Sequence, residues 1–222
     1  MAGEVRLACF LSGPPDAPPM VLLHALGERS ESWDAVRAEF DRHYRVITID
    51  LRGHGDSDWP GEYSYELMRD DVLAALDRLG LDRITLVGHS LGGIVAYLIA
   101  QDHPDRVDRL VVEDVPLPYR RERPVPERPD WPVPFDWPVV PAMITQSGEP
   151  NPDWWERLSK ITAPTLLVAG GADSHVPREQ LDAVAARVPR CTLLTIPVGH
   201  HVHDAAPAEF AAAVLSFLRT GD

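Results

Sequence analysis

The chain has 222 residues, 45% of them apolar and 25% charged, which is the composition of one globular domain, 1–222, and excludes global disorder. Acidic residues outnumber basic ones, 34 to 21, giving a formal charge of −13. That balance argues against nucleic acid or an anionic membrane as partner, since both reward clustered Lys and Arg; a small, largely neutral substrate is easily accommodated.

Taken in chain order, MAGEVRLACF has no basic stretch leading into an apolar one, so no export signal is visible and a cytoplasmic protein is expected. No apolar run nears the ~20 residues that span a bilayer. VRLACFLSG reads as a single edge strand, and an open edge is a surface on which a homodimer could pair. PMVLLHAL at 19–26 and YRVITIDL at 44–51 are buried strands. A helix is expected over 64–80, with Leu67, Val72, Leu73, Leu76 and Leu79 at three- and four-residue spacing and Gly80 closing it. RITLVG at 83–88 is the next strand, followed by a small, apolar helix over 92–103 and a strand in RLVVEDV at 109–115.

The rhythm then breaks. Residues 115–160 hold eleven of the 22 prolines, four of the six tryptophans and one glycine. Proline at that density argues against long regular elements, while the tryptophans are too apolar for a solvated linker. An irregular insertion packed on the body of the domain fits both facts. Strands resume in PTLLVAGG at 164–171 and CTLLTIP at 191–197, with helices over 177–188 and 207–219 opened by Pro177 and Pro207. The strands lack polar alternation, as expected of a mostly parallel sheet covered on both faces by helices, an α/β fold.

Chemistry concentrates at strand ends. Gly88-His89-Ser90-Leu91-Gly92 joins a strand to a helix; a nucleophile on so sharp a turn needs very small residues two positions before and after it. A serine hydroxyl needs a base, and Val198-Gly199-His200-His201-Val202-His203 follows the last strand, where a loop can return over Ser90. Gly170-Gly171-Ala172-Asp173 offers an acid just past the preceding strand, so Ser, Asp and His all fall at C-terminal strand ends, where open α/β sheets place their sites. The two cysteines, Cys9 and Cys191, are too few for a disulfide framework and read as reduced, half-buried thiols. The His-His-Val-His run has an i, i+3 pair but no helix or clustered carboxylates around it in sequence, so no metal is expected.

Five segments in this order resemble the α/β-hydrolase superfamily: LLHALGERSESWD its oxyanion loop, DLRGHGDSD the segment after the next strand, VGHSLGG the nucleophile elbow, AGGADSHVP the acid loop and PVGHHVHDAAPAEF the histidine loop. The resemblance implies an α/β-hydrolase fold and a triad of Ser90, His200 and Asp173. Two alternatives stay open: His203 for the base, and Asp114 for the acid, since some relatives carry it after the earlier strand. Backbone N–H groups of Leu26 and Leu91 would form the oxyanion hole, with Ala25 standing where the family usually has glycine. Arg52, His54 and Asp56 are expected to tie loops together, and His89 to line the pocket. The resemblance makes 115–160 a cap over the site. Trp131, Phe135, Trp137, Trp154 and Trp155 then either wall a substrate pocket or glue the cap to the body. Arg120, Arg121, Arg123 and Arg128, interspersed with acids, read as a solvated rim. A serine nucleophile implies acyl chemistry without a cofactor: hydrolysis of a small ester or lactone. The rivals are a carbon–carbon bond hydrolase or metabolite-tailoring enzyme using the same triad, and a ligand-binding protein that retains the site.

Overall fold

The computed structural model describes residues 5–122 and 124–219. Seven strands form one sheet: β1 (Cys9–Ser12), β2 (Pro19–Leu23), β3 (Arg45–Ile49), β4 (Ile84–His89), β5 (Val107–Glu113), β6 (Thr165–Ala169) and β7 (Cys191–Thr195). Their order is β1-β3-β2-β4-β5-β6-β7. Every neighbouring pair is parallel except β1 with β3, so the first strand is the antiparallel edge. The helices are α1 (Asp34–Phe40), α2 (Tyr65–Arg78), α3 (Leu91–Asp102), α4 (Val139–Gly148), α5 (Asp153–Arg157), α6 (Arg178–Ala185), α7 (Val202–Ala205) and α8 (Pro207–Arg219).

The period-2 alternation of a strand is present, but both sides are apolar because both faces are covered. Val21 and Leu23 of β2 join one core with α2, α3 and α6, while Met20 and Leu22 join a second with α1 and α8. β5 divides the same way, with Leu110 and Val112 on the first side and Val111 on the second. In α3 every residue from Leu91 to Gln101 is buried, which explains its lack of a polar face. Ser64 caps α2 by accepting the Leu67 N–H at 3.0 Å.

The segment between β5 and β6 is less irregular than its prolines imply, because α4 runs for ten residues inside it. Pro138 is its N-cap and Pro141 lies in its first turn, where the missing N–H has no intrahelical acceptor to lose. Arg123 lies outside the described residues. Cys9 and Cys191 are both free and partly buried. Among the described residues no helix is long and apolar enough to cross a membrane.

Candidate active site

β4 ends at His89 and α3 begins at Leu91, so Ser90 alone makes the turn, with φ 49° and ψ −111°. A side chain there is strained; the elbow holds because strand and helix pass at backbone contact. A Cβ on Gly88 would strike the Gly92 carbonyl, and one on Gly92 would strike the Leu23 carbonyl in β2. The Gly92 N–H donates to the His24 carbonyl at 3.1 Å, tying the elbow to the loop after β2. Leu91 opens α3, so its N–H has no acceptor within the helix. Leu26 and Leu91 both border the cavity onto which Ser90 opens.

His200 lies in the loop between β7 and α7 and borders the same cavity. Its Nδ1 is 2.8 Å from Oδ2 of Asp114, not Asp173. Asp114 follows β5 directly, adopts φ 46° and is fully buried. Its carboxylate also accepts the Gly170 N–H at 2.7 Å and the Ser174 hydroxyl. Burial alone would push this carboxyl up, but the bonds from His200, Ser174 and Gly170 hold it below the usual aspartate range. Asp173 sits exposed in a single turn over Gly171–Asp173. The loop that carries it does serve the acid, but through the Gly170 backbone and Ser174 rather than through its own carboxylate.

His203, the alternative base, is buried behind the site, where its Nδ1 bonds Glu113 at 2.8 Å and its ring stacks on Trp33 with centroids 4.3 Å apart. His89 is also buried rather than lining the cavity; its Nε2 is 3.0 Å from the His200 carbonyl oxygen, so it braces the loop that holds His200. The DLRGHGDSD segment is structural, as expected. His54 accepts the Gly27 N–H at 3.1 Å, and burial pushes it down to about 3, so the ring is neutral. Arg52 pairs with Asp71 through Nη2 at 2.7 Å, and the Asp56 N–H donates to Asp50 at 2.9 Å.

The cavity holds about 150 Å³, below the ~300–1,000 Å³ typical of sites for drug-sized ligands. Leu26, Leu91, Ile94, Val115 and Leu117 form its apolar floor and Met143, Ile144 and Val176 add to it from α4 and the acid loop. Tyr65, Ser147 and His175 bring polar groups, with Tyr65 Oη and Ser147 Oγ 2.6 Å apart. His175, which the sequence reading assigned no role, stands with its ring centroid 4.3 Å from that of His200. Arg121, read as part of a solvated rim, reaches the cavity mouth, with Nη1 3.0 Å from the Tyr119 hydroxyl.

None of the five cap aromatics lines this cavity. Trp154 is buried edge-on against Tyr65, with centroids 5.8 Å apart. Trp155 donates its indole N–H to the Pro118 carbonyl at 2.7 Å. Phe135 stacks on His54 at 5.7 Å and on Trp137 at 6.3 Å, pinning the middle of the cap to the loop after β3. Trp131 is 69% exposed. Apart from exposed Trp131, these rings pack the cap, and Leu117, Tyr119, Met143 and Ile144 face the cavity instead.

The family model described as the alpha/beta hydrolase fold matches residues 18–137. The chain is 28% identical over 256 residues to the sn-1-specific diacylglycerol lipase ABHD11 of Mus musculus, across 94% of this chain and 83% of that one. Among solved structures, a hydrolase from Pseudomonas aeruginosa PA01 superposes with a TM-score of 0.84 at 27% identity, covering 99% of this chain and 97% of the other. A thermophilic esterase from Thermogutta terrifontis gives 0.83 at 27% identity, covering 98% and 94%.

Proposed function

The chain belongs to the α/β-hydrolase family, and from that premise we propose that it is a serine carboxylic ester hydrolase acting on a small, largely neutral ester or lactone. One observation carries this reading. The strained Ser90 and the Asp114-bonded His200 open onto a single cavity. With its Nδ1–H held by Asp114, the His200 ring presents Nε2 as the free lone pair, the tautomer a general base requires.

Ser90 Oγ attacks the acyl carbon while His200 takes its proton. The N–H groups of Leu91 and Leu26 receive the oxyanion, aided by the positive end of α3. Collapse expels the alcohol, which leaves with the proton from His200. Water, deprotonated by the same ring, then attacks the acyl-enzyme and returns the acid and free Ser90. The apolar floor and the modest volume favour a short acyl group over a long chain.

The test is hydrolysis of a nitrophenyl ester series of rising acyl length by wild type and Ser90→Ala. Turnover that vanishes with Ser90→Ala and peaks at short acyl length supports the proposal. A folded wild-type protein with no Ser90-dependent turnover across the series overturns it.

A further inference from the structure

Behind the cavity lies a set of histidines and carboxylates that the ester chemistry does not use. Glu28 comes from the loop after β2, His89 from the end of β4 and His201 from the loop that carries His200. One nitrogen or oxygen from each lies within 4.8 Å of the others. Glu28 Oε1 is 3.2 Å from His201 Nδ1, and Glu28 Oε2 is 3.8 Å from His89 Nδ1. The His-His-Val-His run supplies only one of these ligands, and the carboxylate and second imidazole arrive by folding.

His89 is the informative member. Its ring is fully buried, and among the described residues its Nδ1 has no hydrogen-bond partner. A buried polar atom left in that state costs about 1–3 kcal/mol, and 3.8 Å is too long for Glu28 to relieve it. The opposite ring nitrogen, Nε2, is held at 3.0 Å by the His200 carbonyl. Donating Nε2–H to a backbone carbonyl leaves the Nδ1 lone pair aimed at Glu28, and this is the outer bond that metal-ligating histidines make. Glu28 faces His201 with one carboxylate oxygen and His89 with the other, at 3.2 and 3.8 Å, so the carboxylate stands between the two imidazoles, near the ~3.4 Å that separates ligands bound tetrahedrally at ~2.0–2.2 Å.

We propose that Glu28, His89 and His201 form a binding site for one divalent transition ion of the zinc type, which fastens together the two loops and the strand end that build the active site. Two imidazoles and one carboxylate suit Zn²⁺ or Co²⁺ better than Mg²⁺ or Ca²⁺, which want oxygen ligands. The Ala25 N–H donates to Glu28 Oε2 at 3.2 Å and so orients the carboxylate, and Glu113 brings a second carboxylate to the buried side of His89. His201 is 55% exposed, so an ion has an entry path and a position left for water. The ion takes no part in the acyl chemistry; it fixes His200 through its sequence neighbour and Ser90 through His89.

The probe is Zn²⁺ alone, titrated by calorimetry into tag-free, chelator-treated protein, with Co²⁺ absorption as a spectroscopic check. The expected result is one equivalent bound, a raised Tm, and intense visible bands from a low-coordinate Co²⁺ site. His201→Ala removes an exposed ligand without opening the core and should weaken binding at least ~10-fold. His43→Ala, which removes an exposed histidine outside the cluster, should leave it unchanged. Absence of stoichiometric binding overturns the proposal, as does binding that survives His201→Ala intact. Neither result bears on Ser90-dependent ester turnover, so this site and the hydrolase reading stand or fall separately.

Discussion

Replacing Asp114 by Asn probes the acid of the site by exchanging a single carboxylate oxygen for NH₂. Three donors converge on the carboxylate: His200 Nδ1 at 2.8 Å, the Gly170 N–H at 2.7 Å and the Ser174 hydroxyl. A carboxylate accepts all of them, whereas an amide offers one oxygen and turns an NH₂ toward the remaining direction. If that NH₂ faces Gly170, a buried backbone donor is stranded at about 1–3 kcal/mol. If it faces His200, the ring must accept at Nδ1 and place its proton on Nε2, the nitrogen that has to receive the Ser90 proton. The second arrangement keeps the backbone satisfied and is therefore the expected one. It should cost ~10³–10⁴ in kcat with little change in KM, the scale set by removing a triad acid's charge while preserving geometry. Asp173→Asn, altering an exposed carboxylate, should stay within about twofold of wild type. The assay is kcat and KM on a short-chain nitrophenyl ester for both variants, with circular dichroism to confirm folding. An Asp114→Asn enzyme within tenfold of wild type, or an Asp173→Asn enzyme that is crippled, refutes the assignment.

The cap aromatics separate by burial. Trp154→Ala should destabilise by about 3–5 kcal/mol, the range for deleting a buried large aromatic, whereas Trp131→Ala should shift stability by no more than ~0.5 kcal/mol; denaturant melts distinguish the two. Stability should also fall on mild acidification. Buried His54 titrates at about 3, against 6.5 for an ordinary histidine, so between those values the unfolded chain binds a proton that the folded one refuses. The His54 contribution is full above pH 6.5 and declines by about 1.4 kcal/mol for each pH unit below it, and His24, which burial also lowers, steepens the decline. His89, whose pKa is raised, contributes in full below 6.5 and adds no slope there. Urea titrations at pH 7, 6 and 5 should show the decline in wild type and a shallower one in His54→Gln; parallel curves would contradict it.

The sheet was readable because each strand is apolar on both faces, and each helix begins or ends on a residue with a mechanical reason to be there. Ser64 and Pro177 stand immediately before the first residues of α2 and α6, Pro207 is the first residue of α8, and Gly80 lies two residues past the end of α2. Strand limits came out too long at β2 and β6, where the reading ran on into HAL and GG. Those residues are buried or half-buried, but they have left the sheet to form the site. Hydrophobicity reports burial, and at the C-terminal edge of this sheet burial outlasts the ladder. α4 was missed for the opposite reason: prolines were counted by density, while helices tolerate them by position.

The acid shows where local pattern loses to topology. Asp173 follows a glycine pair beyond a strand and looks like an exposed acid on a tight turn, which it is. Asp114 looks like the frayed end of an apolar run, yet it lies on β5, the immediate neighbour of β4 and its Ser90. β6 is one strand further away, and the distance is bridged by a hydrogen bond from Gly170 instead of by a carboxylate. Only strand order distinguishes the two positions, and strand order is a property of pairing across the sheet, absent from any window of sequence. The same holds for the aromatic rings. Trp154 and Phe135 advertise a pocket by composition, but a cap with so few regular elements has to bury its largest side chains against the body to stay closed. That leaves Leu117, Met143 and Ile144, which no pattern singled out, to line the cavity.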